Sequence, residues 1–150
     1  MAAQRDFPFL QGLARRFRKP AEIHVLVVDP DQPAARLLTS RLQPPFIATV
    51  VASAEAAYAA FGVHRPTIVV TELDLPGMSG LDLLGSLHMN PATRRVLLMA
   101  LTARTSLRDK IAAFQAGADD FLVKPADPEQ FLLHIERLSR FRQVLPPSAS

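Results

Sequence analysis

Six side chains have types and positions suited to chemistry on a charged group: Asp29, Asp31, Glu72, Asp74, Thr102 and Lys124. Each comes closely after an apolar run. Residues 23–28 lead into Asp29-Pro30-Asp31, residues 67–71 into Glu72-Leu73-Asp74, residues 95–101 into Thr102, and residues 120–123 into Lys124. Carboxylates at strand ends suit metal-assisted phosphate chemistry. The question is which elements would bring them together.

The run Thr67-Ile68-Val69-Val70-Thr71 is β-branched and shows no alternation of polarity. Such a run reads as a strand buried on both faces, as in a parallel sheet. Pro76-Gly77 turns the chain just beyond it. In open α/β sheets the carboxyl ends of the strands are where ligands bind. Residues 23–28, 46–51, 95–101 and 120–123 supply four further strands. His24 lies early in the first of them, away from the acidic end, and reads as structural.

Helices are predicted between the strands. Residues 33–42 place Leu37, Leu38 and Leu42 inward before Pro44-Pro45 stops them. Ser53 caps an Ala-rich helix reaching Phe61, with Gly62 to Pro66 closing it. Residues 80–89 form the next helix, and residues 106–116 another that ends at Gly117. Asp127 caps a last helix over 128–141, with Phe131, Leu132, Ile135 and Leu138 on its inner face. Five strand–helix alternations of about 20–25 residues each predict right-handed parallel crossovers. The fold class is therefore α/β, a doubly wound five-stranded parallel sheet in the order 2-1-3-4-5 with helices on both faces. The ends of strands one, three, four and five then share one rim.

Composition agrees with one folded domain: 49% hydrophobic and 21% charged residues over 150 positions. The absence of cysteine excludes disulfides and thiolate metal sites and suits a cytoplasmic protein. No run approaches the roughly 20 apolar residues of a membrane span, and residues 1–20 lack a signal-peptide pattern. The net charge of +3 is uneven. Residues 1–19 carry +4, residues 137–150 carry +3, and residues 20–136 carry −4. Residues 1–21 read as a basic arm with Leu10, Leu13 and Phe17 at helical spacing. It is either a short helix or frayed terminus on the domain, or a contact element for a partner or an anionic surface. Residues 143–150 read as a tail or cut linker. Nucleic-acid binding by the domain has little support, because the basic residues belong to the ends and no aromatic-interleaved basic stripe exists.

Four blocks carry a family resemblance: Val25-Leu-Val-Val-Asp29, Leu75-Pro-Gly-Met-Ser-Gly-Leu-Asp-Leu-Leu84, Leu101-Thr-Ala103, and Gly117-Ala-Asp-Asp-Phe-Leu-Val-Lys-Pro125. In order and spacing they resemble the receiver domain of bacterial response regulators, over residues 22–142. The resemblance implies a flavodoxin-like fold and a role in two-component or phosphorelay signal transduction. In that family an acidic pair after the first strand and an aspartate after the third bind Mg2+. The aspartate takes a phosphoryl group from a histidine kinase, and a Thr or Ser and a Lys bind the phosphoryl oxygens. A hard dication favours clustered carboxylates, and transfer needs charge neutralised around the equatorial oxygens.

Carried onto this chain, Asp29 is the first acid and the one metal ligand expected if Mg2+ binds at all. Pro30 stands where the second acid would be. Glu72 occupies the phosphoacceptor position, Thr102 and Lys124 the phosphate-reading positions, and Phe121 the aromatic switch position. Asp29, Asp31 and Asp74 make an acidic pocket, with Asp31 suited to capping the following helix. The extra methylene of Glu72 displaces its carboxylate by about 1.5 Å, and misplacement on that scale costs ~10²-fold in rate. The expectation is a non-enzymatic receiver without ordinary aspartyl phosphorylation, holding no cofactor or Mg2+ only weakly. It would act through protein contacts. Glu72 either locks an active-like state through Lys124 and Thr102 or merely neutralises Lys124. The alternatives are a receiver phosphorylated on Glu72 or Asp74, and a small Mg2+-dependent phosphohydrolase. An output domain, a sensor kinase or a second copy would dock on residues 106–141, with Arg104, Arg108 and Lys110 decorating that face.

Overall fold

The structure is a computed structural model that describes residues 21–144. The predicted basic arm up to residue 20 and the tail beyond residue 144 lie outside the described residues. Strand β1 (Ile23–Val28) shows why its sequence lacks alternation. Val25 and Val27 enter one hydrophobic core, and Leu26 and Val28 enter another on the opposite face. β3 (Ile68–Thr71) and β4 (Leu97–Thr102) are buried on both faces in the same way. With β2 (Phe46–Val51) and β5 (Asp120–Val123) they form a five-stranded parallel sheet in the order β2-β1-β3-β4-β5. This is the predicted topology.

The helices divide between the faces. α1 (Gln32–Leu38) and α5 (Pro128–Val144) cover one core through Ala35, Leu38, Phe131, Ile135 and Leu138. α2 (Ala54–His64), α3 (Gly80–Met89) and α4 (Leu107–Ala116) cover the other, with Ala57, Leu83, Leu84, Leu87 and Ala113 inward. Serine hydroxyls fix three of their starts. Ser53 accepts from Ala56 N–H, Ser79 from Asp82 N–H and Ser106 from Asp109 N–H. The strand register carries the rim beyond the last paired residues. Glu72 N–H donates to Val28 C=O, Asp29 N–H to Val51 C=O and Lys124 N–H to Thr102 C=O. These bonds set Asp29, Glu72 and Lys124 at the strand ends that share the rim.

The structure corrects five local expectations. α1 ends at Leu38 and continues as a 3-10 turn over Thr39–Arg41. The Thr39 and Ser40 hydroxyls donate to Arg36 and Leu37 C=O, which competes with helix continuation. Leu37 is therefore 66% exposed rather than inward, because Ala35 and Leu38 take the core-facing i, i+3 positions. α2 runs through Gly62 and ends at His64, where Arg65 adopts a left-handed conformation. β4 begins at Leu97 rather than at Arg95, since residues 93–96 turn back through Val96 N–H to Thr93 C=O. Leu132 is half-buried while Phe131, Ile135 and Leu138 are buried.

Candidate functional site

The rim is built around Lys124. Its Nζ lies 2.6 Å from Asp29 Oδ2 and 2.7 Å from Glu72 Oε2. Both carboxylates are buried, Asp29 at 3% and Glu72 at 7% residual exposure. The remaining oxygens have partners too. Asp29 Oδ1 accepts from Asp31 N–H at 2.9 Å, and Glu72 Oε1 accepts from Leu73 N–H at 2.9 Å and Asp74 N–H at 3.1 Å. The longer side chain of glutamate folds back over its own turn while its second oxygen reaches the ammonium. Burial alone would push the Lys124 ammonium down. Its hydrogen bonds to Asp29 and Glu72 outweigh that and hold it above the usual lysine value.

Gly80 explains why the backbone of Glu72 sits where it does. A Cβ at Gly80 would lie 2.1 Å from Glu72 C=O oxygen, so the first turn of α3 packs directly on the 72–73 peptide. Gly80 N–H donates to Leu73 C=O at 2.9 Å and closes the loop between them.

The other predicted residues fall around this centre. Thr102 is fully buried, and its hydroxyl accepts from Arg104 N–H at 3.2 Å. Of the three residues expected to form an acidic pocket, Asp29, Asp31 and Asp74, Asp29 alone is buried, beside Glu72. Asp31 is exposed and caps α1 through Ala34 N–H. Asp74 is exposed and taken by Arg104, whose Nε lies 3.1 Å from Oδ2 and whose Nη2 bonds Oδ1. Arg104 Nη1 also lies 3.5 Å from Asp109 Oδ1. The hydrogen bond from Arg104 holds the Asp74 carboxyl below the usual aspartate range. Phe121 is half-buried against the α2–α3–α4 core, its ring 6.5 Å from that of Phe114 and 5.8 Å from Lys110 Nζ.

Arg104 is a rim residue that sequence reasoning assigned only to an outer face. A signal existed: Asp74 lies two residues past Glu72 and Arg104 two past Thr102, on adjacent parallel strands. At the opposite sheet edge, Asp120 Oδ2 lies 2.6 Å from both His134 Nδ1 and Arg137 Nη2 and ties α5 to β5.

The donor set does not fit Mg2+. Pro30 offers no ligand, and the Asp29 and Glu72 oxygens are committed to an ammonium and to backbone N–H groups. Among the described residues no group of three or more His, Cys, Asp or Glu is arranged to hold a metal ion.

Comparison with known proteins decides the family. Residues 25–136 match the profile of the response regulator receiver domain. The chain belongs to the response regulator receiver-domain family. This receiver is 36% identical over 117 residues to the transcriptional regulatory protein KdpE of Mycobacterium tuberculosis, covering 77% of this chain and 50% of that protein. It is 30% identical over 122 residues to the response regulator PleD of Caulobacter vibrioides, covering 81% of this chain and 27% of that protein. The receiver thus spans half or less of these curated relatives. Among solved structures, a putative response regulator from Chloroflexus aurantiacus superposes with a TM-score of 0.72 at 29% identity, over 78% of this chain and 97% of that one. The signal receiver domain of a putative Luxo repressor protein from Vibrio parahaemolyticus shares the fold with a TM-score of 0.75 at 23% identity, over 82% and 94%. Family membership makes the chain a receiver module of two-component signalling. No described helix is long and apolar enough to cross a membrane.

Proposed function

We propose that this receiver acts in the cytoplasm through protein contacts, as a non-enzymatic module whose rim is closed by Lys124 rather than by Mg2+ and a phosphoryl group. One observation carries the reading: the Lys124 ammonium bridges Asp29 and Glu72 at 2.6 and 2.7 Å. A bound phosphoryl group would need that ammonium for its own oxygens. Glu72, with one oxygen held by two N–H groups, is poorly placed for in-line attack. Asp74 is no better a nucleophile, because Arg104 occupies both its oxygens.

The test is a Mg2+ titration of the full chain, with and without beryllofluoride, followed through the amide signals of Thr102, Ala103 and Phe121. Those signals stay in place up to millimolar Mg2+ under this reading. A saturable shift confined to these residues overturns it.

The contact face proposed is the α4–β5–α5 side. Leu107, Ile111, Phe114 and Leu133 are all exposed there. Leu107, Ile111 and Phe114 recur at helical spacing on α4, and three exposed large apolar side chains on one helix face support an interaction site. For self-association, Ile111→Glu lowers the weight-average mass in sedimentation at high concentration while the native spectrum is kept. An unchanged mass removes this face from dimer contacts.

A further inference from the structure

Between α1 and the turn from β5 into α5 lies an open groove of about 420 Å3. Ala34, Leu37 and Leu38 line it from α1, and Ala103, Pro125 and Ala126 from the loops opposite. Leu37 is the residue that the end of α1 turns outward, 66% exposed above this groove. Asp29 in the floor is neutralised by Lys124, so the free acidic charge lies at the mouth, where Arg36 beside Leu37 and Arg104 beside Ala103 are the flanking bases. Asp29 and Asp31 line the groove, and Asp127 and Glu129 flank its Pro128. Lys124 is the cation in the lining, and it is committed to Asp29 and Glu72. An occupant should therefore carry apolar side chains flanked by basic ones.

The chain holds such a segment. Residues 9–19 place Phe9, Leu10, Leu13 and Phe17 among Arg15, Arg16, Arg18 and Lys19, and residues 1–19 carry +4. We propose that this segment seats in the groove as an intramolecular ligand. The tether reaches. The six residues of β1 rise about 20 Å from Ile23 to the rim at ~3.3 Å each. Six Cα-to-Cα steps separate Phe17 from Ile23 and span up to about 20 Å when extended. A short covalent link raises the effective concentration to the millimolar range, so a weak contact suffices to fill the groove. None of this depends on whether the rim takes a phosphoryl group.

The absence of cysteine makes the test clean. A nitroxide is attached to Gln11→Cys in the isotope-labelled full chain. The amide signals of Ala34, Leu37 and Ala126 should be lost, while that of Val63 on α2 is retained. A second variant adding Leu37→Glu, at an exposed position, should restore the lost signals with the rest of the spectrum unchanged. A mixture of nitroxide-bearing unlabelled chains with labelled nitroxide-free chains should show no loss. The proposal is overturned if the groove signals survive, if signals vanish on another face instead, or if the mixture loses them, which would place the segment on a second copy.

Discussion

Replacing Lys124 by methionine should lower the unfolding free energy at neutral pH by about 3 kcal/mol, the lower end for stranding buried charge. Methionine has a similar length and leaves no large void, so the loss reports charge. Asp29 and Glu72, both almost fully buried, then face each other without a cation. The pH dependence has a definite sign. In the native protein the Lys124 value is raised above the usual 10.5, so its contribution is complete below that value and disappears as pH rises through the folded one. The two stability curves should therefore lie apart at neutral pH and converge as pH rises through the folded Lys124 value. Urea denaturation across a pH series checks this. A gap independent of pH would assign the loss to packing instead.

Gly80→Ala should be comparably damaging, at about 3 kcal/mol, the upper range for forcing atoms into a packed site. The three atoms nearest the added Cβ, at 2.1, 2.7 and 2.9 Å, all belong to the backbone of Glu72 and Leu73, so no rotamer change relieves the clash. Relief must come from moving the peptide that aims Glu72 at Lys124. Gly85 in the same helix is the control. A Cβ there meets nothing within 4 Å, so Gly85→Ala should raise stability by about 0.5–1 kcal/mol through helix propensity alone. Denaturant midpoints of the two variants should move in opposite directions. The same sign for both would show that α3 does not press on the Glu72 turn.

Much of this architecture was legible because parallel strands buried on both faces leave continuous β-branched and apolar runs. The runs at residues 23–28 and 67–71 entered both cores as read. Strand ends then deliver side chains by backbone register, which is why Asp29, Glu72 and Lys124 meet. Features set by side-chain torsions were less legible. Leu37 and Leu38 are equally apolar neighbours, and only the point where α1 gives way to a 3-10 turn decides which faces inward. The sequence left open whether the Glu72 carboxylate reaches both Lys124 and Thr102 or only neutralises Lys124. It bonds Lys124, while the Thr102 hydroxyl accepts from Arg104 N–H. The Arg104–Asp74 pair joins two loops through a long side chain whose direction no hydrophobic period encodes. The Asp120–His134–Arg137 cluster is hidden for the same reason.

On the proposed reading, the Lys124 bridge to Asp29 and Glu72 takes the place of phosphoryl chemistry at the rim. The most direct measurement incubates the full chain with Mg2+ and phosphoramidate, then reads the intact mass and the Thr102 and Phe121 amide signals. The bridge predicts an unchanged mass and unchanged signals. A Mg2+-dependent, hydroxylamine-labile gain of one phosphoryl group on Glu72 or Asp74, with those signals shifting, would contradict it.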